Sequence, residues 1–229
     1  MSDRDAFHQH PFALPPGATE VILVRHGASE AAMEGVSFPL VDGHSDPALS
    51  DGGHAQAREA ARRLQHEGIH RLYVSTLRRT HQTAAPLTEA TGLEPTVLAD
   101  LAEVGLGEFE GGQYRIRAAR GDPIIRQVFD EERWDAIPGG ESRESLGARV
   151  RRAIEQIVAE TGPDRTAVAV VHGAVIGELC AQASASRPFA FVHADNGSIT
   201  RLIVLADGRW LLRSFNDICH LTHPTGPAG

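Results

Sequence analysis

Val21-Ile22-Leu23-Val24 runs straight into Arg25-His26-Gly27, and Val170-Val171 runs into His172-Gly173 in the same way. A short, wholly apolar, mostly β-branched run reads as a strand buried on both faces, which implies a parallel sheet with helices on either side. Ligands of open α/β sheets bind in the crevice beyond the carboxyl ends of the strands. Both junctions therefore place a titratable histidine at the ligand-binding edge, the first beside an arginine. Gly27 lets the backbone approach closely, and is expected to open a helix whose free N–H groups favour an anion. An Arg-His pair so placed points to phosphate chemistry.

The rest of the chain alternates in the same style. Strands are predicted over Val21–Val24, Leu72–Ser75, Ala167–Val171, Ile199–Leu205 and Trp210–Phe215. Asp207-Gly208 between the last two is a hairpin signal, so one edge should be antiparallel. Helices are predicted over Ser50–Glu67, Leu77–Thr91, Ser142–Thr161 and Gly173–Ala183, with Gly68, Gly92 and Gly162-Pro163 as stops for the first three. The expected fold is α/β: a three-layer α/β/α sandwich around a mixed, mainly parallel sheet. Glu103–Pro138 breaks the alternation, being rich in glycine and charge, with Arg115, Arg117 and Arg120 close together. It reads as a lid insertion of loops and short helices around residues 104–138, over the carboxyl edge. The expected organisation is a loosely ordered extension over 1–20, one domain over 21–221 and a tail over 222–229.

Composition narrows the function classes. A net charge of −8 opposes nucleic acid or an anionic membrane as partner, and requires any phosphate site to gather its positive charge locally. No apolar run reaches membrane-spanning length, and the first twenty residues show no signal-peptide pattern. The two cysteines, Cys180 and Cys219, lack metal spacing and read as thiols in a reducing cytosol. No metal site is expected, because the twelve histidines form no His-x-x-x-His pair on one predicted helix.

Four segments carry candidate chemistry: Arg25-His26-Gly27-Ala28-Ser29-Glu30, Ser75-Thr76-Leu77-Arg78-Arg79-Thr80-His81-Gln82-Thr83-Ala84, Glu103-Val104-Gly105-Leu106-Gly107-Glu108-Phe109-Glu110-Gly111, and His172-Gly173-Ala174. In this order they resemble the histidine phosphatase superfamily, also called the phosphoglycerate mutase-like family. Leu49-Ser50-x-x-Gly53-x-x-Gln56-Ala57, Pro138-Gly139-Gly140-Glu141-Ser142 and Asn196-Gly197-Ser198-Ile199-Thr200 add to the match. The resemblance implies the phosphoglycerate mutase-like fold and a set of roles. His26 would be the nucleophile that becomes a phosphohistidine. Arg25 and Arg79 would clamp the phosphate, Arg79 rather than Arg78 by its register with Gln82-Thr83-Ala84. His172 would donate to the phosphoryl group. Glu103 would act as general acid and then base, with Glu108 and Glu110 as nearby rivals. Ser29, Glu30, Gly27, Gly173 and Asn196 would bind substrate, Ser29 also capping the first helix and Glu30 orienting the arginines.

The chain departs from the pattern at Ala32, where the family commonly has Asn, at Thr76, and at Ala174 after His172-Gly173. The leading function is a metal-independent, cofactor-free, cytoplasmic phosphomonoesterase acting on a small phosphorylated metabolite, with a homodimer left open. The alternatives are a phosphoglycerate mutase, a phosphoprotein phosphatase and a non-catalytic phosphate-binding module. Mutases of the family usually carry Arg-His-Tyr-Gly after the acid, where this chain has Val104-Gly105-Leu106-Gly107.

Overall fold

In the computed structural model, which describes residues 9–221, the elements follow in the order β1 (Thr19–Arg25), β2 (Leu40–Val41), β3 (His44–Ser45), α1 (Asp51–Leu64), β4 (Ile69–Val74), α2 (Arg78–Thr91), β5 (Pro95–Val97), α3 (Gln113–Ala119), α4 (Pro123–Asp130), α5 (Arg143–Thr161), β6 (Arg165–Val171), α6 (Gly173–Ser184), β7 (Ile199–Val204) and β8 (Trp210–Asp217). A six-stranded sheet takes the order β5-β4-β6-β1-β7-β8. β5, β4, β6 and β1 are mutually parallel, while β7 is antiparallel to β1 and β8 to β7. This is the mixed, mainly parallel α/β architecture expected from the sequence. The tail over 222–229 and the first eight residues of the extension lie outside the described residues.

The apolar runs make this sheet because their alternate residues feed two cores. Ile22 and Val24 of β1, Leu72 and Val74 of β4, and Val168 and Val170 of β6 pack with Ala60, Ala61 and Leu64 of α1 and Ala84 and Leu87 of α2. Val21, Leu23, Tyr73, Ala167, Ala169 and Val171 face the other way, towards Leu146, Val150, Ile154 and Ile157 of α5 and Val175, Ile176 and Leu179 of α6. Each large side chain so buried contributes about 1.5–3 kcal/mol, which leaves no solvated face for these strands. The helices start and stop as their caps dictate. Ser50 accepts from the Gly53 N–H and Ser142 from the Ser145 N–H, while α2 ends on Gly92 at φ 71°. Both thiols are free; Cys180 is buried, and burial pushes its pKa up to about 12.

Gly27 does not open a helix, and Ser29 caps none. β1 runs instead into an irregular stretch over residues 26–50 that includes the small β2–β3 hairpin. The reason is that other elements take the backbone groups of this stretch. Gly27 N–H donates to Thr83 Oγ1 (3.0 Å), Ala28 N–H to Gln56 Oε1 (2.8 Å) and Leu49 N–H to Gln82 Oε1 (2.8 Å). Gly27 packs back to back with Gly53 in α1: a Cβ on Gly53 would lie 1.9 Å from the Ala28 carbonyl oxygen, and one on Gly27 would lie 2.4 Å from that of Gly53. These glycines allow a loop to cross a helix start. β5 also escapes the sequence pattern, because a three-residue edge strand is too short to show a period. Residues 99–138 hold two short helices, α3 and α4, and three 3-10 turns.

Candidate active site

His26 follows β1 directly and is held on both sides. Its N–H donates to the Val171 carbonyl of β6 (2.9 Å), and its carbonyl accepts from Asn196 Nδ2 (2.9 Å). Its ring Nδ1 faces the Gly27 carbonyl at 2.8 Å, so this nitrogen carries the proton and Nε2 keeps its lone pair. Arg79 Nε donates towards that lone pair at 3.2 Å. Burial, together with the charges of Arg79 and Arg25, holds the His26 pKa well below 6.5, so the ring stays neutral at ordinary pH. A neutral, oriented imidazole is the nucleophilic form.

His172 stands before α6, fully buried, with its ring centroid 5.1 Å from that of His26. Its Nε2 lies 2.8 Å from Ser75 Oγ, and its buried Nδ1 has no hydrogen-bond partner among the described residues. Burial, then Arg79 and His26, push its pKa well below 6.5 as well.

Two guanidinium groups flank His26. Arg25 Nη1 donates to the Ala194 carbonyl, while its buried Nε has no partner among the described residues. Arg79 Nη1 donates to the Ser45 carbonyl (2.7 Å). Burial lowers both pKa values from the ordinary guanidinium range, and the Glu103 charge opposes this. Gly173 lies against Arg25, where a Cβ would be 3.4 Å from Nε. Arg78 lines no part of the site; its N–H and guanidinium hold Asp46 instead, each at 2.7 Å.

Glu103 is partly exposed into the same cavity, and its Oε1 accepts from the N–H groups of Val104 (3.0 Å) and Ala174 (3.2 Å). Of its rivals, Glu110 also lines this cavity and Glu108 does not. Glu108 is exposed, and Glu110 is tied to Ser45 N–H (2.7 Å) and Leu106 N–H (2.9 Å). Arg149 of α5 fixes the Glu103 backbone, donating to the carbonyls of Ala102 (2.6 Å) and Glu103 (2.9 Å) while pairing with Glu141 at 2.8 Å.

Four of the five expected catalytic residues, Arg25, His26, Arg79 and Glu103, line one cavity of about 370 Å³, with His172 behind them. The expected substrate-binding set is divided. Gly173 lines the cavity, whereas Gly27, Ser29, Glu30 and Asn196 do not. Gly27 and Asn196 hold the strand end. Glu30 is exposed and offers its backbone carbonyl, not its carboxylate, to Arg115, so it does not orient the clamp. Ser29 Oγ accepts from Arg115 Nη2 (2.6 Å). The three lid arginines separate. Arg115 reaches the cavity, Arg117 stacks on Phe109 (4.5 Å) and pairs with Asp122, and Arg120 pairs with Glu34. Sequence reasoning assigned no role to Arg149, Glu141, Ser75, Gln56 or Thr83. Ser75, Thr83, Gln56 and Glu141 all fall within the motif segments quoted above, whereas Arg149 lies outside them. Among the described residues, no group of three or more His, Cys, Asp or Glu is placed to hold a metal ion, and no helix is long and apolar enough to cross a membrane.

The sequence profile of the histidine phosphatase superfamily (branch 1) matches residues 21–218. Phosphoglycerate mutase-like protein 4 of Arabidopsis thaliana is 34% identical over 208 residues, covering 88% of this chain and 86% of that protein. A probable phosphoglycerate mutase of Yersinia enterocolitica is 29% identical over 214 residues, covering 90% and 96%. Among solved structures, a mycobacterial glucosyl-3-phosphoglycerate phosphatase superposes with a TM-score of 0.71 at 31% identity, covering 87% of this chain and 99% of that one. The phosphoserine phosphatase of Entamoeba histolytica, in complex with 3-phosphoglyceric acid, superposes with a TM-score of 0.71 at 25% identity, covering 89% and 100%.

Proposed function

The chain belongs to the histidine phosphatase superfamily, and from that premise we propose that it is a cytoplasmic, metal-independent phosphomonoesterase acting on a small phosphorylated metabolite through a phosphohistidine at His26. The observation that carries the reading is the tautomer of His26, whose Nδ1–H is committed to the Gly27 carbonyl while Nε2 lies beside the buried arginines. The phosphoryl oxygens sit between Arg25 and Arg79, whose unspent N–H groups match them. Nε2 attacks phosphorus, and the P–O bond to the alcohol breaks as the P–N bond forms. Glu103 gives its proton to the departing oxygen. The carboxylate then takes a proton from water, whose oxygen attacks phosphorus. Inorganic phosphate leaves, and the P–N electron pair returns to His26. His172 and the arginines stabilise the charge on the equatorial oxygens. A cavity of about 370 Å³ suits a small molecule rather than a phosphoprotein, being within the roughly 300–1,000 Å³ of ligand pockets.

The names of the Arabidopsis thaliana and Yersinia enterocolitica relatives favour the second reading, a phosphoglycerate mutase. The deciding experiment incubates the protein with a panel of phosphomonoesters including 3-phosphoglycerate, in EDTA, with and without 2,3-bisphosphoglycerate. Phosphate release without formation of 2-phosphoglycerate is the expected outcome. Isomerisation with little phosphate release makes the protein a mutase.

A further inference from the structure

We propose that the alcohol half of the substrate carries a flat or apolar ring and no second anionic group. This rests on the phosphatase reading above and concerns the part of the same cavity that the phosphoryl chemistry leaves unused. From Glu103 outward that part is aromatic. Tyr114 stands 6.1 Å from Trp134, ring centroid to ring centroid; Trp134 stands 6.5 Å from Phe129, and Phe129 stacks on His193 at 5.7 Å and 16°. All four line the same cavity as Glu103, the acid that protonates the leaving oxygen, and follow one another ring to ring. A ring bonded to that oxygen, directly or through a short linker, would lie along the wall and bury apolar area on both partners.

The charges lining the cavity agree. Its permanent cations are Arg25, Arg79 and Arg115. The first two flank His26, and Arg115 lies over Phe38 with both terminal nitrogens donating to Ser29 and Glu30. The remaining charged lining residues are acids: Glu103, Glu110 and Asp195. A carboxylate or second phosphate on the alcohol would meet Asp195 and Glu103, and the single cation left for it, Arg115, is already bound to Ser29 and Glu30, so it would give up its water for at most one ion pair. A phosphorylated alcohol with a neutral or cationic ring meets neither cost.

The test compares alkyl phosphates whose leaving alkoxides are alike: 2-phenylethyl phosphate, propyl phosphate and 3-phosphoglycerate. p-Nitrophenyl phosphate serves as the general phosphatase probe. The kcat/KM for 2-phenylethyl phosphate should exceed those of the other two by about 10-fold or more, the value of burying one ring. Phe129→Ala and Trp134→Leu should each pull the phenylethyl-to-propyl ratio towards one, and Phe129, being half-buried, is the safer substitution for folding. Equal or better turnover of 3-phosphoglycerate, or a ratio that neither variant moves, overturns the proposal while phosphatase activity stands. Absence of turnover on all four esters overturns the phosphatase reading and this proposal together.

Discussion

Arg25, His26 and His172 sit at the ends of β1 and β6, whereas Glu103, Tyr114, Arg115 and Trp134 come from a stretch of short helices and turns. The first group is placed by backbone. The β1–β6 ladder runs unbroken from Thr19–Arg165 to Arg25–Val171, and the His26 N–H continues it. The second group is placed by side chains, with Arg149 and Glu141 holding residues 100–105, and Glu110 holding Ser45 and Leu106. A ladder buried between two cores cannot shift by a fraction of a residue, because register errors would turn every side chain to the other face. A network of side chains can be edited one contact at a time. The proposed nucleophile, His26, with Arg25 and His172 beside it, thus stands on the part that resists change. The acid and the selecting wall stand on the part that tolerates it.

The largest effect should come from the rigid side. His26→Ala should abolish turnover of every ester, by about 10⁴-fold or more if nucleophilic catalysis is the only route, with little change in thermal midpoint. Near-normal rates in this variant would break the scheme. Next is Glu103→Gln, expected to slow alkyl phosphates by about 10²–10⁴-fold while sparing p-nitrophenyl phosphate, whose phenolate leaves without a proton. Equal losses on both esters would move the acid elsewhere. Arg149→Met should show the same selectivity more weakly, about 10-fold, because it loosens Glu103 without removing it. It should also lower stability by about 3 kcal/mol, since Glu141 loses its nearly buried partner. Glu141→Gln combined with Arg149→Met should recover part of that stability in urea titrations but not the activity. Intact alkyl-phosphate turnover in Arg149→Met would show that the lid holds its acid by other means.

The smallest effect is on pH dependence. His26 and His172 have folded pKa values held below the ordinary 6.5. As pH falls through about 6.5 the unfolded chain takes up a proton on each, and the folded chain does not. Stability is therefore full above that pH and declines below it, by on the order of 1 kcal/mol per pH unit for each histidine. Urea midpoints between pH 7.5 and 5.5 should fall, and His172→Gln should flatten the slope. An unchanged slope would mean that His172 is protonated in the folded protein.

Much of the strand-end half could be read directly from the chain. Val21–Val24 and Ala167–Val171 have nowhere to go but a doubly covered sheet, and whatever follows such strands stands at its carboxyl edge. His26 and His172 were therefore visible, and Arg79 could be told from Arg78 by register with Gln82-Thr83-Ala84. The lid half was visible only as an interruption. Gly27 looked like the start of a helix because a glycine after a strand so often is. Its real constraint, the crossing with Gly53, joins positions twenty-six residues apart and leaves no local trace. Ser29 and Glu30 were near the site in sequence, but Arg115 draws both to the rim.

Hydrophobic period and strand-end residues, both local properties, determined the layers of this protein and placed His26 and His172 at the edge of the sheet where the cavity lies. The tertiary structure decided that Glu110 is tied to Ser45 and Leu106 while Glu103 is held by the Val104 and Ala174 N–H groups, which of Arg115, Arg117 and Arg120 reaches the cavity, and that aromatic rings line the rest. Those outcomes depend on contacts such as Arg149 with Glu103 and Trp134 with Tyr114, whose energies exist only once distant segments have been brought together by the burial of the sheet.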